Sequence, residues 1–64
     1  MLKKKVLEFI GNEIMICGAT EKLISYLEGI NYISKEDLLK WITENMKRCG
    51  CGRDQIVEFI RWEE

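Results

Sequence analysis

The chain has 64 residues, ten basic and eleven acidic, and its net charge of −1 gives no general attraction toward nucleic acid or an anionic membrane. Apolar and aromatic residues make up 47% of it, which argues against disorder, and its longest apolar run, residues 14–19, is far shorter than the roughly 20 residues of a membrane-spanning helix. A domain of this size buries only about 60% of the surface of its unfolded chain, so we expect part of the apolar content to lie on the surface.

The amino-terminal segment begins with Met1 and Leu2 followed by three lysines, as a secretory signal would. Glu8 and Asn12 interrupt the apolar core that such a signal needs, so we expect no removed leader and a cytoplasmic protein. Three cysteines leave one unpaired in any monomeric disulfide scheme, and this odd number fits a reducing compartment.

The spacing of apolar residues predicts an all-α fold, a small bundle of about four short helices forming one domain over residues 1–64. The first helix is predicted over residues 2–17, where apolar residues recur every three or four positions. Gly11 in its middle and the lysines at its start are unfavourable there. A second helix is predicted to follow a Thr20 cap and to end at Gly29 in a left-handed conformation.

The third helix has the clearest start signal. Ser34 is placed to cap it, with Asp37 three residues later as in a capping box. Its apolar stripe continues through Met46 to Cys49, and Gly50 is expected to end the helix.

The fourth helix is predicted from about residue 53 to residue 62. Its apolar residues resemble those of the first helix, because Ile56-Val57-Glu58-Phe59-Ile60 matches Val6-Leu7-Glu8-Phe9-Ile10 at three of five positions. Five residues are too few to indicate a duplication, and both segments fit amphipathic helices in similar positions.

The sequence indicates no catalytic site, and we predict a non-enzymatic protein without cofactor or metal. Histidine, the commonest general base, is absent. Cys49 and Cys51 are placed to give zinc two thiolates, with Cys17 as a third, or to form a redox pair beside a helix start. Structural zinc usually takes four ligands in two spaced pairs, and no second pair is present, so a simple glycine-rich turn is favoured.

DNA binding is the main alternative function. The third helix, the turn at residues 49–52 and the fourth helix follow one another as in a helix-turn-helix, and Arg48, Arg53 and Arg61 are available for phosphate contacts. Four carboxylates in and after the fourth helix oppose a phosphate backbone, and only Gln55 is suited to read a base. We therefore expect weak binding of duplex DNA without sequence preference.

A protein-interaction or regulatory module that acts through an apolar helical face is the preferred function. Tryptophan and tyrosine are enriched at contact hot spots, and few residues follow Trp62 to cover it. The predicted partner-binding residues are Phe59, Ile60, Trp62 and Trp41. The expected partner is a second copy of the chain in a homodimer, or another protein.

One stretch, residues 34–42 (SKEDLLKWI), resembles the capped helices of many small bacterial and phage proteins. The resemblance implies a bacterial or mobile-element source and names no family. It adds a further alternative, an accessory protein that binds a host protein.

Overall fold

The computed structural model describes residues 2–47 and 52–63, and this part of the chain is helical without strands, as predicted. Its helices are α1 (Leu2–Glu13), α2 (Gly18–Glu28), α3 (Lys35–Asn45) and α4 (Arg53–Trp62). None of these helices is both long and apolar enough to cross a membrane. The prediction of a small all-α bundle is confirmed.

The first and last helices lie at the centre of the packing. α1 packs closely against both α2 and α4, and α4 packs against both α1 and α3. An ion pair joins Lys5 Nζ to Glu63 Oε1 over 3.0 Å, so the start of α1 lies beside the end of α4. At the opposite end, Gly52 lies against the side chain of Ile14. α1 and α4 are therefore antiparallel.

Each helix contributes buried residues spaced four apart to a single core. This spacing places them on one face of the helix. The buried apolar residues are Val6, Ile10, Ile14, Leu23, Leu27, Ile33, Leu38, Ile42, Met46, Ile56 and Ile60.

The first helix is shorter than predicted, because it ends at Glu13 rather than at residue 17. Ile14 still turns its side chain into the core, whereas Met15 and Ile16 are exposed in the loop that leads to α2. Neither proline nor glycine stands in this stretch. Apolar residues therefore continue at helical spacing through this loop, and the sequence carries no signal that the chain changes direction there.

The second helix differs from the prediction at both ends. It begins at Gly18 with Cys17 as the N-cap, because the Glu21 N–H donates to the Cys17 carbonyl over 2.8 Å. Thr20 is therefore a buried residue of the first turn and not the cap. Gly29 follows the last turn with φ −87° and ψ −2°, in the right-handed region, and its N–H bonds to carbonyls of that turn. The left-handed cap predicted there is wrong, since these bonds satisfy the last carbonyls without it.

The third helix begins as predicted and ends early. The Asp37 N–H donates to the Ser34 hydroxyl oxygen over 3.2 Å, which confirms the cap. The helix ends at Asn45, whose side-chain amide donates to the Trp41 carbonyl over 2.9 Å and so competes with the backbone for that acceptor. Met46 follows as the C-cap with its side chain in the core.

The fourth helix has the predicted bounds, Arg53–Trp62. It begins after Gly52, whose φ of 81° and ψ of 18° lie in the left-handed region that favours glycine. The preceding predicted turn residues lie outside the described part of the chain: Arg48, Cys49, Gly50 and Cys51.

The Ser34 cap gives a first testable prediction. We expect Ser34→Ala to lower the free energy of unfolding by about 1 kcal/mol, because the Asp37 N–H loses its acceptor. For a domain of this size, thermal melting followed by circular dichroism should show a fall of roughly 4–8 °C. Ser25→Ala is the matched control, since Ser25 is exposed within α2 and alanine has the higher helix propensity. Equal melting temperatures for the two variants would contradict the cap.

Candidate functional site

Phe9 of α1 and Phe59 of α4 stack at the centre of an open groove between the two helices. Their ring centroids are 4.3 Å apart and their planes are 11° from parallel. Both side chains pack against the core and are only partly buried. The groove has a volume of about 330 Å³, and its polar rim is formed by Lys5, Glu8, Asn12, Glu13 and Glu63.

The two helices that form this groove bury equivalent residues. The burial pattern of residues 2–12 is repeated at residues 52–62. Each residue of the first range is buried, half-buried or exposed in the same way as its counterpart in the second. Phe9 and Phe59 occupy the same place in this pattern, and they stack on each other. Antiparallel helices whose equivalent residues meet are related by an approximate two-fold axis, which here passes between the two phenyl rings. The short similarity between the two helices therefore corresponds to equivalent positions in the packing.

The rim of the groove is acidic. It contains three carboxylates, Glu8, Glu13 and Glu63, against the single ammonium group of Lys5, so its formal charge is −2. Lys5 is paired with Glu63. Within residues 2–47 and 52–63, neither Glu8 nor Glu13 forms an ion pair. Two exposed carboxylates without a cation therefore stand beside an aromatic floor.

Trp62 is exposed one turn after Phe59 on α4. It is not one of the residues that line the groove, but residues three apart on a helix are neighbours at its surface. Its side chain is 80% exposed. The indole Nε1–H donates to Glu58 Oε1 over 3.3 Å, one helical turn back. A large aromatic side chain is thus presented to solvent next to the stacked phenyl rings.

Ile60 does not belong to this surface and must be removed from the predicted partner-binding residues. Its side chain is fully buried. It lies four residues after Ile56, which is also fully buried, on the face of α4 that meets the core. Ile60 is therefore a core residue, although its neighbours in sequence are at the surface.

Trp41 lies on a different part of the molecule. Its ring stacks on that of Tyr26 from α2, with centroids 5.0 Å apart and planes 18° from parallel. The surface depressions that Trp41 lines are formed by α2, α3 and the loop between them, with no residue of α4. The structure therefore brings Phe59 and Trp62 together but separates Trp41 from them.

Phe9 is the groove residue that is missing from the predicted set. The signal is present in the sequence, since Phe9 and Phe59 occupy the same position in the two similar segments. Their contact depends on α1 and α4 meeting as antiparallel neighbours, which no local pattern indicates. Tyr32, which is 78% exposed in the loop before α3, is also absent from the predicted set.

Three lysines make bonds within the fold and are not freely available for contacts with phosphate. Lys3 donates to the carbonyl of Ile30, and Lys5 pairs with the end of α4. Lys35 donates to the carbonyl of Arg61 in the last turn of α4, where a positive charge is favourable. Phosphate binding by these side chains would compete with bonds that join the helices.

The described surface thus offers an aromatic groove with an acidic rim and an exposed tryptophan at one end. Among residues 2–47 and 52–63, no group of three or more histidine, cysteine or acidic side chains is suited to hold a metal ion. No family model matches this chain, and neither a characterised protein nor a solved structure matches it significantly.

Proposed function

We propose that the protein is a small interaction module that docks on another protein through the α1–α4 groove and Trp62. The exposure of Trp62 is the observation that carries the proposal, because among the described residues this side chain packs neither in the core nor against it. Tryptophan is strongly enriched among the residues that dominate contact energies. The proposed surface includes Phe59 and Trp62 from the sequence prediction and adds Phe9.

The size of the molecule is consistent with one such docking face. A typical specific interface buries roughly 800 Å² on each partner. The accessible surface of the chain is 4478 Å², so an interface of that size takes about a fifth of it. The Cα atoms span 25 × 23 × 21 Å, so a fifth of the surface of the molecule corresponds roughly to one of its sides. The groove and Trp62 lie on the side formed by α1 and α4.

A different protein is a better partner for this face than a second copy of the chain. Symmetric docking of two copies would bring two acidic rims together, and like charges across an interface are unfavourable. A partner of opposite charge avoids this cost. The homodimer expected from the sequence is kept as the alternative, and an accessory protein that binds a host protein is one form of the preferred proposal.

A peptide-display selection tests the proposal and does not require the partner to be identified first. We expect selection on the immobilised protein to yield peptides whose affinity falls at least about tenfold with Trp62→Ala, the effect of a hot-spot residue. Tyr32→Ala is the matched control, because it removes an equally exposed aromatic ring from a loop outside the groove. Peptides that bind both variants like the unmodified protein would contradict a role for Trp62.

Sedimentation of the protein alone distinguishes the two kinds of partner. The preferred proposal predicts the mass of one chain at micromolar concentration. A larger mass that returns to one chain with Trp62→Ala would instead support the homodimer.

A further inference from the structure

The charge and shape of the α1–α4 groove define the kind of partner that fits it. Building on the proposed function, we infer that the groove binds a positively charged amphipathic helix of another protein. The apolar face of that helix lies on the stacked rings of Phe9 and Phe59, and its lysine or arginine side chains lie beside the carboxylates of the rim.

The shape of the groove favours a helix as the occupant. Its walls are two antiparallel helices, and its floor is an aromatic pair set between them. An amphipathic helix laid in such a groove buries its apolar stripe against both walls, as in helix-in-groove recognition. Helix-to-helix contacts of this kind are those from which bundles are built. The bound helix of the partner would form a layer of three helices together with α1 and α4.

One carboxylate position repeats on the two helices in the same way as the phenyl rings. Glu8 on α1 takes the same place in the shared exposure pattern as Glu58 on α4. Glu13 ends α1 and is exposed, whereas Glu63 follows α4 and is half-buried. Glu58 accepts the hydrogen bond from Trp62, and Glu63 is paired with Lys5. The carboxylates of the α1 wall have no ion-pair partner in the described part of the chain.

The unpaired carboxylates of Glu8 and Glu13 on α1 favour a partner helix with positive charge. Glu8 and Glu13 are exposed, so each ion pair with a cation of the partner contributes little affinity in water. Their main effects are on the rate of association and on the rejection of acidic partners. Contact with Phe9, Phe59 and Trp62 supplies most of the affinity. Binding should therefore weaken as salt is added, because exposed charges are screened.

Two synthetic peptides test this inference. The first is an amphipathic helix of about 14 residues, roughly four turns, with leucine on one face and arginine elsewhere. The second has glutamate at every arginine position. We expect the arginine peptide to bind at micromolar concentration in titrations followed by NMR, with shifts at Phe9, Phe59 and Trp62. We expect no binding of the glutamate peptide at tenfold higher concentration.

Charge-reversal variants test whether binding of the arginine peptide depends on the carboxylates of the groove. Glu8→Lys combined with Glu13→Lys should weaken binding of the arginine peptide at least tenfold. Glu21→Lys combined with Glu44→Lys changes the net charge equally at exposed positions outside the groove, and it should weaken binding less than threefold.

The outcomes separate this inference from the proposed function. Equal losses in the two double variants, equal binding of both peptides, or shifts confined to other surfaces would overturn the inference. If display-selected peptides depend on Trp62 but are not basic and bind equally at high salt, the interaction module stands and the charged helix does not. If the selection gives no peptide that depends on Trp62, the proposed function itself fails.

Discussion

Replacement of Ile60 by alanine is expected to lower the free energy of unfolding by roughly 2–5 kcal/mol. The side chain is fully buried among apolar residues of the core, so its removal loses apolar burial and leaves a cavity. The core of a domain this small rarely supplies more than about 3–5 kcal/mol of net stability. The Ile60→Ala protein should therefore be largely unfolded, with loss of helical signal in circular dichroism at 25 °C.

The matched control for Ile60→Ala lies two residues further along the same helix. Trp62→Ala removes a larger side chain, but that side chain is 80% exposed. Its only described polar contact is the hydrogen bond to Glu58 at the surface. We expect a change of about 0.5 kcal/mol or less, as for most surface substitutions. If Trp62→Ala destabilises the protein as much as Ile60→Ala does, the assignment of one to the core and the other to the docking face is wrong.

Gly52→Ala is expected to cost about 2–5 kcal/mol, an effect comparable with that of Ile60→Ala. Its φ of 81° places an L-residue in the left-handed region, at a cost of roughly 1–2 kcal/mol. A Cβ atom there would also lie 2.9 Å from Ile14 Cγ2 and 3.0 Å from Ile14 Cδ1. Ile14 is itself buried in the core, so relief of this contact requires repacking, which typically costs about 1–3 kcal/mol. Urea unfolding gives the measurement.

Gly11→Ala provides the control for the glycine substitution. Gly11 lies inside α1, and a Cβ atom there would have no neighbour within 4 Å. Alanine should therefore stabilise the helix by about 0.5–1 kcal/mol. Gly52→Asn separates the two contributions, because asparagine adopts the left-handed region more readily than alanine but carries the same Cβ atom. If Gly52→Asn costs as much as Gly52→Ala, the contact with Ile14 accounts for most of the loss.

Features of the fold that depend on local chemistry could be predicted from the sequence. Ser34 begins α3 because its hydroxyl accepts a hydrogen bond within the first turn. The bounds of α4 follow from its apolar spacing and the glycine before it. The end of α1 and the conformation of Gly29 could not be predicted in this way. The first depends on where the chain must reverse to pack α2 on α1, and the second on which backbone bonds the last turn of α2 can form.

The candidate site could be predicted only in part for the same reason. Phe59, Ile60 and Trp62 are apolar neighbours near the end of the sequence, which favours their assignment to one surface. On a helix, adjacent residues point about 100° apart, so Ile60 turns into the core while Phe59 and Trp62 reach the surface. Trp41 shares only its residue type with this group. The contact that defines the groove, between Phe9 and Phe59, is a product of tertiary packing.

The central position of α1 and α4 changes which part of the chain can open by itself. In most domains the termini are the first segments to lose structure. In the closest packing of the described helices, α1 and α4 lie against each other, α2 lies on α1, and α3 lies on α4. We therefore expect the release of either terminal helix to open the whole core. α2 and α3 each pack on only one helix of this central pair, and the stack of Tyr26 on Trp41 joins them to each other, so we expect them to open before the central pair does. We therefore expect the backbone amides of Val6 to Ile10 and of Ile56 to Ile60 to exchange with solvent only on global unfolding, and those of α2 and α3 to exchange faster.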